Sequence, residues 1–245
     1  MHAIVIAGGK GTRLGALTAN TPKALMRFGD RPLLEINLLQ LRQAGATRVT
    51  LCVSHLGHAI EREITNGEQF GLRVDYCRDP GLLGTAGPLR LVPDWSVPAL
   101  VVNCDILTSL DFARLYRTHR ESDRTLTIAT KRREIAVPFG VLDVADQGTV
   151  RAIREKPTLS FDVSAGIYVV NPEVHSSIPA DEPADMPSLI RALLERGSSV
   201  GTYPFTERWH DIGTPDSYQA ARNEYLADPH AFLAPEPVGI TGEGT

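Results

Sequence analysis

The sequence predicts an α/β protein built on a doubly wound, mostly parallel sheet, and three observations carry that prediction. Apolar, β-branched stretches recur through the first 103 residues, separated by segments in which leucine and isoleucine return at helical spacing. The first stretch, Ala3-Ile4-Val5-Ile6-Ala7, runs into glycines rather than into a two-residue hairpin. A later one runs directly into Cys104-Asp105. Strands alternating with helices specify parallel pairing, and loops at the carboxyl ends of such strands are where open sheets take their ligands.

Taken in order, residues 33–41 carry Leu33, Leu34, Ile36, Leu38, Leu39 and Leu41 on a core-facing helix that Gly45 ends. Residues 49–53 form the second strand, 56–64 a short helix, 72–77 the third strand and 99–103 the fourth, with a helix expected at 110–119. The pattern then changes to short strands at 125–129, 139–144, 150–153 and 167–170, a small β-rich lobe over the sheet. No Pro/Ser-rich linker precedes it, so it is expected to be an elaboration rather than a second domain. Helices at 186–196 and 215–226 complete a single domain over 1–226; residues 227–245, rich in proline, glycine and alanine, predict a flexible tail.

Composition narrows the partners. The 245 residues are 42% hydrophobic and 22% charged with a net charge of −4, and no basic block exceeds Lys131-Arg132-Arg133, which argues against nucleic acid. No apolar stretch approaches the roughly 18 residues of a membrane span, and the first one stops at Ala7, too short for a secretory signal. Cys52, Cys77 and Cys104 are dispersed and read as buried free thiols, so a cytoplasmic protein is expected, with a homodimer compatible. Only four of the 25 basic residues are lysines: Lys10, Lys23, Lys131 and Lys156.

The loop Gly8-Gly9-Lys10-Gly11-Thr12-Arg13-Leu14, followed by Pro22-Lys23, is the strongest chemical signal. Glycines let phosphate oxygens approach backbone N–H groups, and Arg13 and Lys23 add charge to the same oxygens. A dinucleotide fingerprint would need glycine where Leu14 stands, and a Walker loop would need a G-K-[ST] triplet that does not follow. Taken alone, the loop is equally compatible with a tight strand-to-helix turn bearing surface charges.

Gly84-Thr85-Ala86-Gly87, Asp105, Glu155-Lys156-Pro157 and Trp209-His210-Asp211-Ile212-Gly213 follow in that order. In combination with the glycine loop these motifs resemble the sugar-1-phosphate nucleotidyltransferases over about residues 1–226. The resemblance implies a Rossmann-like nucleotidyltransferase fold whose β-rich lobe binds the sugar. It implies attack of a sugar 1-phosphate on the α-phosphorus of a nucleoside triphosphate, with pyrophosphate released. By the same resemblance Ala7, Gly8, Gly9, Gly11, Thr12 and Arg13 hold the nucleotide together with Asp79, Gly84 and Thr85, and Lys23 lies near the reaction centre. Glu155, Lys156, Gly140, Ser164 and Gly166 meet the sugar phosphate, Arg13, Lys23 and Lys156 being the catalytic cations. Asp105 and Asp211 match the family's magnesium aspartates, and hard carboxylate oxygens suit Mg²⁺. The family usually has glycine where this chain has Cys104.

The base is expected to be read by the loop from Asp79 to Gly84. Thymidylyl and uridylyl members of the family carry glutamine at the place of Asp79, which can accept and donate, whereas a carboxylate only accepts; guanine offers adjacent N1–H and N2–H₂ donors, so GTP is favoured. The alternatives are enzymes using dTTP, UTP or CTP, or a catalytically silent subunit that binds an NDP-sugar. The silent subunit predicts loss of Lys23, Asp105 or Asp211, and all three are present.

Overall fold

The computed structural model describes residues 1–81, 83–93, 96–179 and 182–234. Among the described residues thirteen strands and five α-helices follow one another. Those of the first half are β1 (His2–Ile6), β2 (Arg27–Phe28), β3 (Arg31–Pro32), α1 (Leu33–Gln43), β4 (Arg48–Val53), α2 (Gly57–Ile64), β5 (Arg73–Arg78), β6 (Ala99–Asn103), β7 (Ile106–Thr108) and α3 (Phe112–Arg120). The second half supplies β8 (Leu126–Ala136), β9 (Val141–Val144), β10 (Val150–Arg154), β11 (Thr158–Val170), α4 (Met186–Glu195), β12 (Val200–Phe205), β13 (Trp209–Asp211) and α5 (Pro215–Ala227).

The central sheet has the order β12-β8-β11-β6-β1-β4-β5. Strand β1 is parallel to both β4 and β6, and β4 is parallel to β5. All five residues of β1 are buried, because helices cover both faces of a doubly wound sheet and alternation is lost. On one face Leu34, Leu38 and Leu41 of α1 pack on Val5, Leu51 and Val102. On the other, Leu189 and Leu193 of α4 pack on Ile4, Val101 and Val170. Side chains of this size, fully buried, each contribute about 1.5–3 kcal/mol of transfer free energy. Asp185–Ser188 and Thr214–Ser217 capping boxes set the starts of α4 and α5.

The expected fold class is the one observed, with two differences of extent. The β-rich lobe grows out of the sheet itself. Strands β8 and β11 continue past the core as an antiparallel pair, Leu126–Ala136 against Thr158–Val170, and the β9–β10 hairpin connects them. The outer half of β8 contains Lys131-Arg132-Arg133-Glu134, whose exposure leaves no alternation to betray a strand. Strand β12 was not anticipated at all; it pairs in parallel with β8.

The second difference concerns the expected tail. Its described portion is packed: a short 3-10 turn covers Pro229–Ala231, and Phe232 is buried with Tyr225 and Phe28. Gln40 donates Nε2 to Phe232 O at 2.8 Å and Gln43 donates Nε2 to Ala234 O at 2.8 Å. One aromatic side chain with a place in the core outweighs the proline and glycine around it. The rest of the expected tail, 235–245, lies outside the described residues.

Candidate active site

A cavity of about 350 Å³ opens at the carboxyl edge of β1 and β6. Its wall brings together Gly8, Gly9, Gly11, Thr12, Arg13, Lys23, Asp79, Gly84, Thr85 and Asp105 from the sequence reading. Ala7 is not part of the wall: it is 4% exposed and its N–H donates to Cys52 O at 2.8 Å, so it prolongs the sheet ladder.

The glycine loop is held from below. Gly11 sits at φ +63°, where an L side chain is strained, and a Cβ there would stand 3.1 Å from Thr18 Cγ2, so Thr18 would have to give way as well. Thr18 Oγ1 donates to Gly11 O at 2.9 Å, and the buried Leu14 donates its N–H to the same carbonyl at 2.9 Å. Gly8, Gly9 and Gly11 thus reach the cavity wall without side chains, beside Lys10, Thr12 and Arg13.

Lys23 is 8% exposed and donates to Asp105 Oδ2 at 2.6 Å. Asp105 follows β6, and Asp211 lies on β13. The short β7–β13 ladder pairs Asp211 with Ile106, while Ile212 N donates to Asp105 O at 2.9 Å, so two aspartates 106 positions apart in sequence become neighbours. Burial and the adjacent Asp105 raise the Asp211 carboxyl above the usual aspartate range, with Lys23 and Arg13 acting in opposition. Among the described residues no three His, Cys, Asp or Glu side chains cluster as a complete metal cage. Two neighbouring carboxylates, one of them paired with Lys23, are a donor set that suits a hard cation keeping waters and taking phosphate oxygens as its remaining ligands.

Cys104 lies beneath this pair, 5% exposed, and burial pushes its thiol up to about 12, so it stays neutral. Its N–H donates to Ile6 O at 3.1 Å, which ties β6 to β1 at the cavity floor.

Asp79 and Thr85 line the cavity but are also tied into their loop. Asp79 accepts from Gly81 N at 2.9 Å and from Leu83 N at 2.7 Å, one backbone donor on each oxygen. Thr85 Oγ1 accepts from Met186 N at 2.9 Å, binding the loop to the first turn of α4. Ala86 and Gly87 both donate to Ala184 O, at 2.9 and 3.0 Å.

The residues expected to meet the sugar phosphate, Gly140, Glu155, Lys156, Ser164 and Gly166, stand apart from the cavity wall. Glu155 and Lys156 follow β10 on the lobe, where Lys156 N donates to Phe139 O at 3.2 Å, and a Cβ on Gly140 would lie 3.1 Å from Glu155 Oε2. Ser164 Oγ shares a hydrogen bond with Tyr168 Oη at 2.9 Å, at the irregularity in the β11–β8 register. Trp209 Nε1 donates to Ala165 O at 2.9 Å, and the Arg133 guanidinium stacks over the Trp209 ring at 5.0 Å. A Cβ on Gly166 would stand 2.9 Å from Asn103 Nδ2, and Asn103 lines the cavity, so Gly166 lies directly behind that part of the wall. Asn103 is a wall residue that sequence reasoning did not select, and Gly213, Lys10 and Cys104, quoted in the sequence without a binding role, also line the cavity. An amide ending an otherwise aliphatic strand was the available signal for Asn103.

The cavity at the carboxyl edge of β1 and β6 thus gathers the glycine loop, the three cations Lys10, Arg13 and Lys23, and Asp105, with Asp211 next to Asp105 outside the wall. A nucleotidyl transferase family profile matches residues 2–228, and the chain belongs to that family. It is 32% identical over 243 residues to a UTP–glucose-1-phosphate uridylyltransferase of Synechocystis, covering 91% of this chain and 63% of the relative. It is 30% identical over 251 residues to a mannose-1-phosphate guanylyltransferase catalytic subunit beta of Drosophila pseudoobscura pseudoobscura, covering 97% and 67%. The chain therefore spans about two thirds of the length of these curated relatives. The crystal structure of HddC from Yersinia pseudotuberculosis superposes with a TM-score of 0.69 at 22% identity, covering 91% of this chain and 99% of that one, a likeness of fold.

Proposed function

We propose that the chain transfers a nucleotidyl group from a nucleoside triphosphate to a sugar 1-phosphate, releasing pyrophosphate, and that the triphosphate is GTP. The observation that carries the reaction class is the meeting of the glycine loop, Lys23, Asp105 and the β7–β13 partner strand at one cavity edge.

In this reading the loop amides and Thr12 hold the triphosphate, and Arg13 and Lys23 face the α-phosphate. Lys156, with Glu155 and Gly140 on the lobe and Ser164 and Gly166 on β11, receives the sugar phosphate. Asp105 and Asp211 would hold Mg²⁺, which when bound draws charge from the α-phosphate and offsets the repulsion between two anions. The chain itself supplies alignment and fixed charge, which is most of what this transfer requires. The three free thiols support a reducing compartment, the cytoplasm.

GTP rests on Asp79. Each of its oxygens takes one backbone N–H and keeps acceptor capacity for a second donor, and guanine presents two adjacent donors. The guanylyltransferase name of one relative agrees, and the uridylyltransferase name of another makes base choice the point to measure.

The experiment is pyrophosphate release from GTP, ATP, CTP, UTP and dTTP with a set of sugar 1-phosphates, with and without EDTA, in wild type and Asp79→Asn. The expected wild type prefers GTP and stops in EDTA. The variant loses about 10- to 150-fold in kcat/KM for GTP and discriminates less against UTP and dTTP. A loss of equal size for every triphosphate would confine Asp79 to shaping its loop and remove the argument for guanine. No release with any pair would overturn the reaction class.

A further inference from the structure

We infer that Lys10 holds the leaving pyrophosphate. The inference rests on the reaction proposed above and assigns a residue to the part of the triphosphate that Arg13 and Lys23 do not serve.

Three cations line the cavity: Lys10, Arg13 and Lys23. Lys23 is bound to Asp105 at 2.6 Å. Arg13 packs its guanidinium against Gly213, 3.3 Å from where a Cβ would stand, and it acts electrostatically on Asp211. Both therefore face the aspartate pair, where the α-phosphate and the sugar phosphate must meet. Lys10 occupies the apex of the glycine loop between Gly9 and Gly11. It is exposed, and among the described residues it has no hydrogen bond or ion pair. A flexible ammonium without a carboxylate partner, flanked by residues with no side chains, is free to follow the distal phosphates.

In the transfer an oxygen of the sugar phosphate forms a bond to the α-phosphorus. The bond from the α-phosphorus to the oxygen bridging to the β-phosphate breaks, and its electron pair leaves with pyrophosphate. Negative charge thus grows on the side of the triphosphate away from Asp105 and Asp211. A mobile, strongly hydrated ammonium suits that position, since the product must also be released.

The test uses the intact chain and inorganic pyrophosphate, a probe independent of the base. Isothermal titration with wild type, Lys10→Gln and Lys10→Arg should show the affinity for pyrophosphate falling about 10- to 100-fold in the glutamine variant and largely restored in the arginine variant. In the reverse reaction KM for pyrophosphate should rise by the same factor. In the forward reaction KM for the sugar 1-phosphate should stay within about twofold. Unchanged pyrophosphate affinity in Lys10→Gln, or a rise confined to KM for the sugar phosphate, would overturn the assignment. A wild type that releases no pyrophosphate from any substrate pair, yet binds it more tightly than Lys10→Gln, would overturn the proposed reaction while leaving Lys10 as an anion-binding residue.

Discussion

Lys23 Nζ lies 2.6 Å from Asp105 Oδ2, an ion pair closed over 82 positions of sequence, with the lysine side chain 9% exposed and the aspartate 25%. Each partner has a second duty in the proposed reaction, so the pair must open when the substrates arrive. Removing the lysine leaves Asp105 beside Asp211 with less opposing charge.

Lys23→Ala should therefore act on both stability and rate. Loss of a largely buried partner costs about 1–3 kcal/mol, and kcat should fall by orders of magnitude with a smaller change in nucleotide affinity, because the cation matters most as charge shifts. Lys23→Met combined with Asp105→Asn should be less destabilised than the two single changes added together. Urea unfolding of the four proteins measures the coupling; strict additivity would show that the pair contributes nothing to the fold.

Asp211 yields a pH prediction. Its carboxyl is raised by burial and by Asp105, so the folded state holds that proton to higher pH than the unfolded chain does. Stability from this group is therefore present below the ordinary aspartate range and is lost as pH rises through the raised value. Asp211→Asn should raise Tm at pH 7, lose that advantage at pH values below the aspartate range, and abolish metal-dependent turnover. Mg²⁺ should raise Tm of the wild type and not of the variant. A variant with lower Tm at pH 7 would contradict the repulsion argument.

Gly166 is at φ +73°, and a Cβ there would stand 2.9 Å from Asn103 Nδ2. Gly166→Ala should cost about 1–3 kcal/mol through the backbone conformation and the collision. Because Asn103 lines the cavity, the displaced amide should also raise KM for both substrates. Asn103→Ala in the same chain should recover the KM values but only part of the stability, since the backbone strain remains. Calorimetry and initial rates on the single and double variants separate the two effects.

The strands at β1, β4 and β6 were legible because each is a short apolar run whose own residues report that both faces are covered, and the glycine loop after β1 follows from that strand's end. Asp105 was legible for the same reason: it stands two positions past the run Ala99–Asn103, after Cys104. The outer halves of β8 and β11 carry mixed charge on exposed faces, so their pairing is decided by each other and not by burial. Phe232 looked like part of a tail until Tyr225 and Phe28 were brought against it.

The sequence by itself determined the fold class, the glycine loop and the identity of most charged groups at the cavity. Only the tertiary structure decided which of those groups are spent on one another. It joined Lys23 to Asp105, set Asp211 beside Asp105 through a three-residue ladder, tied the Asp79 carboxylate to Gly81 and Leu83, and left Lys10 without a partner among the described residues. The physical reason is range: periodicity and turn chemistry register what a residue's neighbours in the chain require, whereas charge pairing and pKa depend on groups that only the closed sheet brings within a few ångströms.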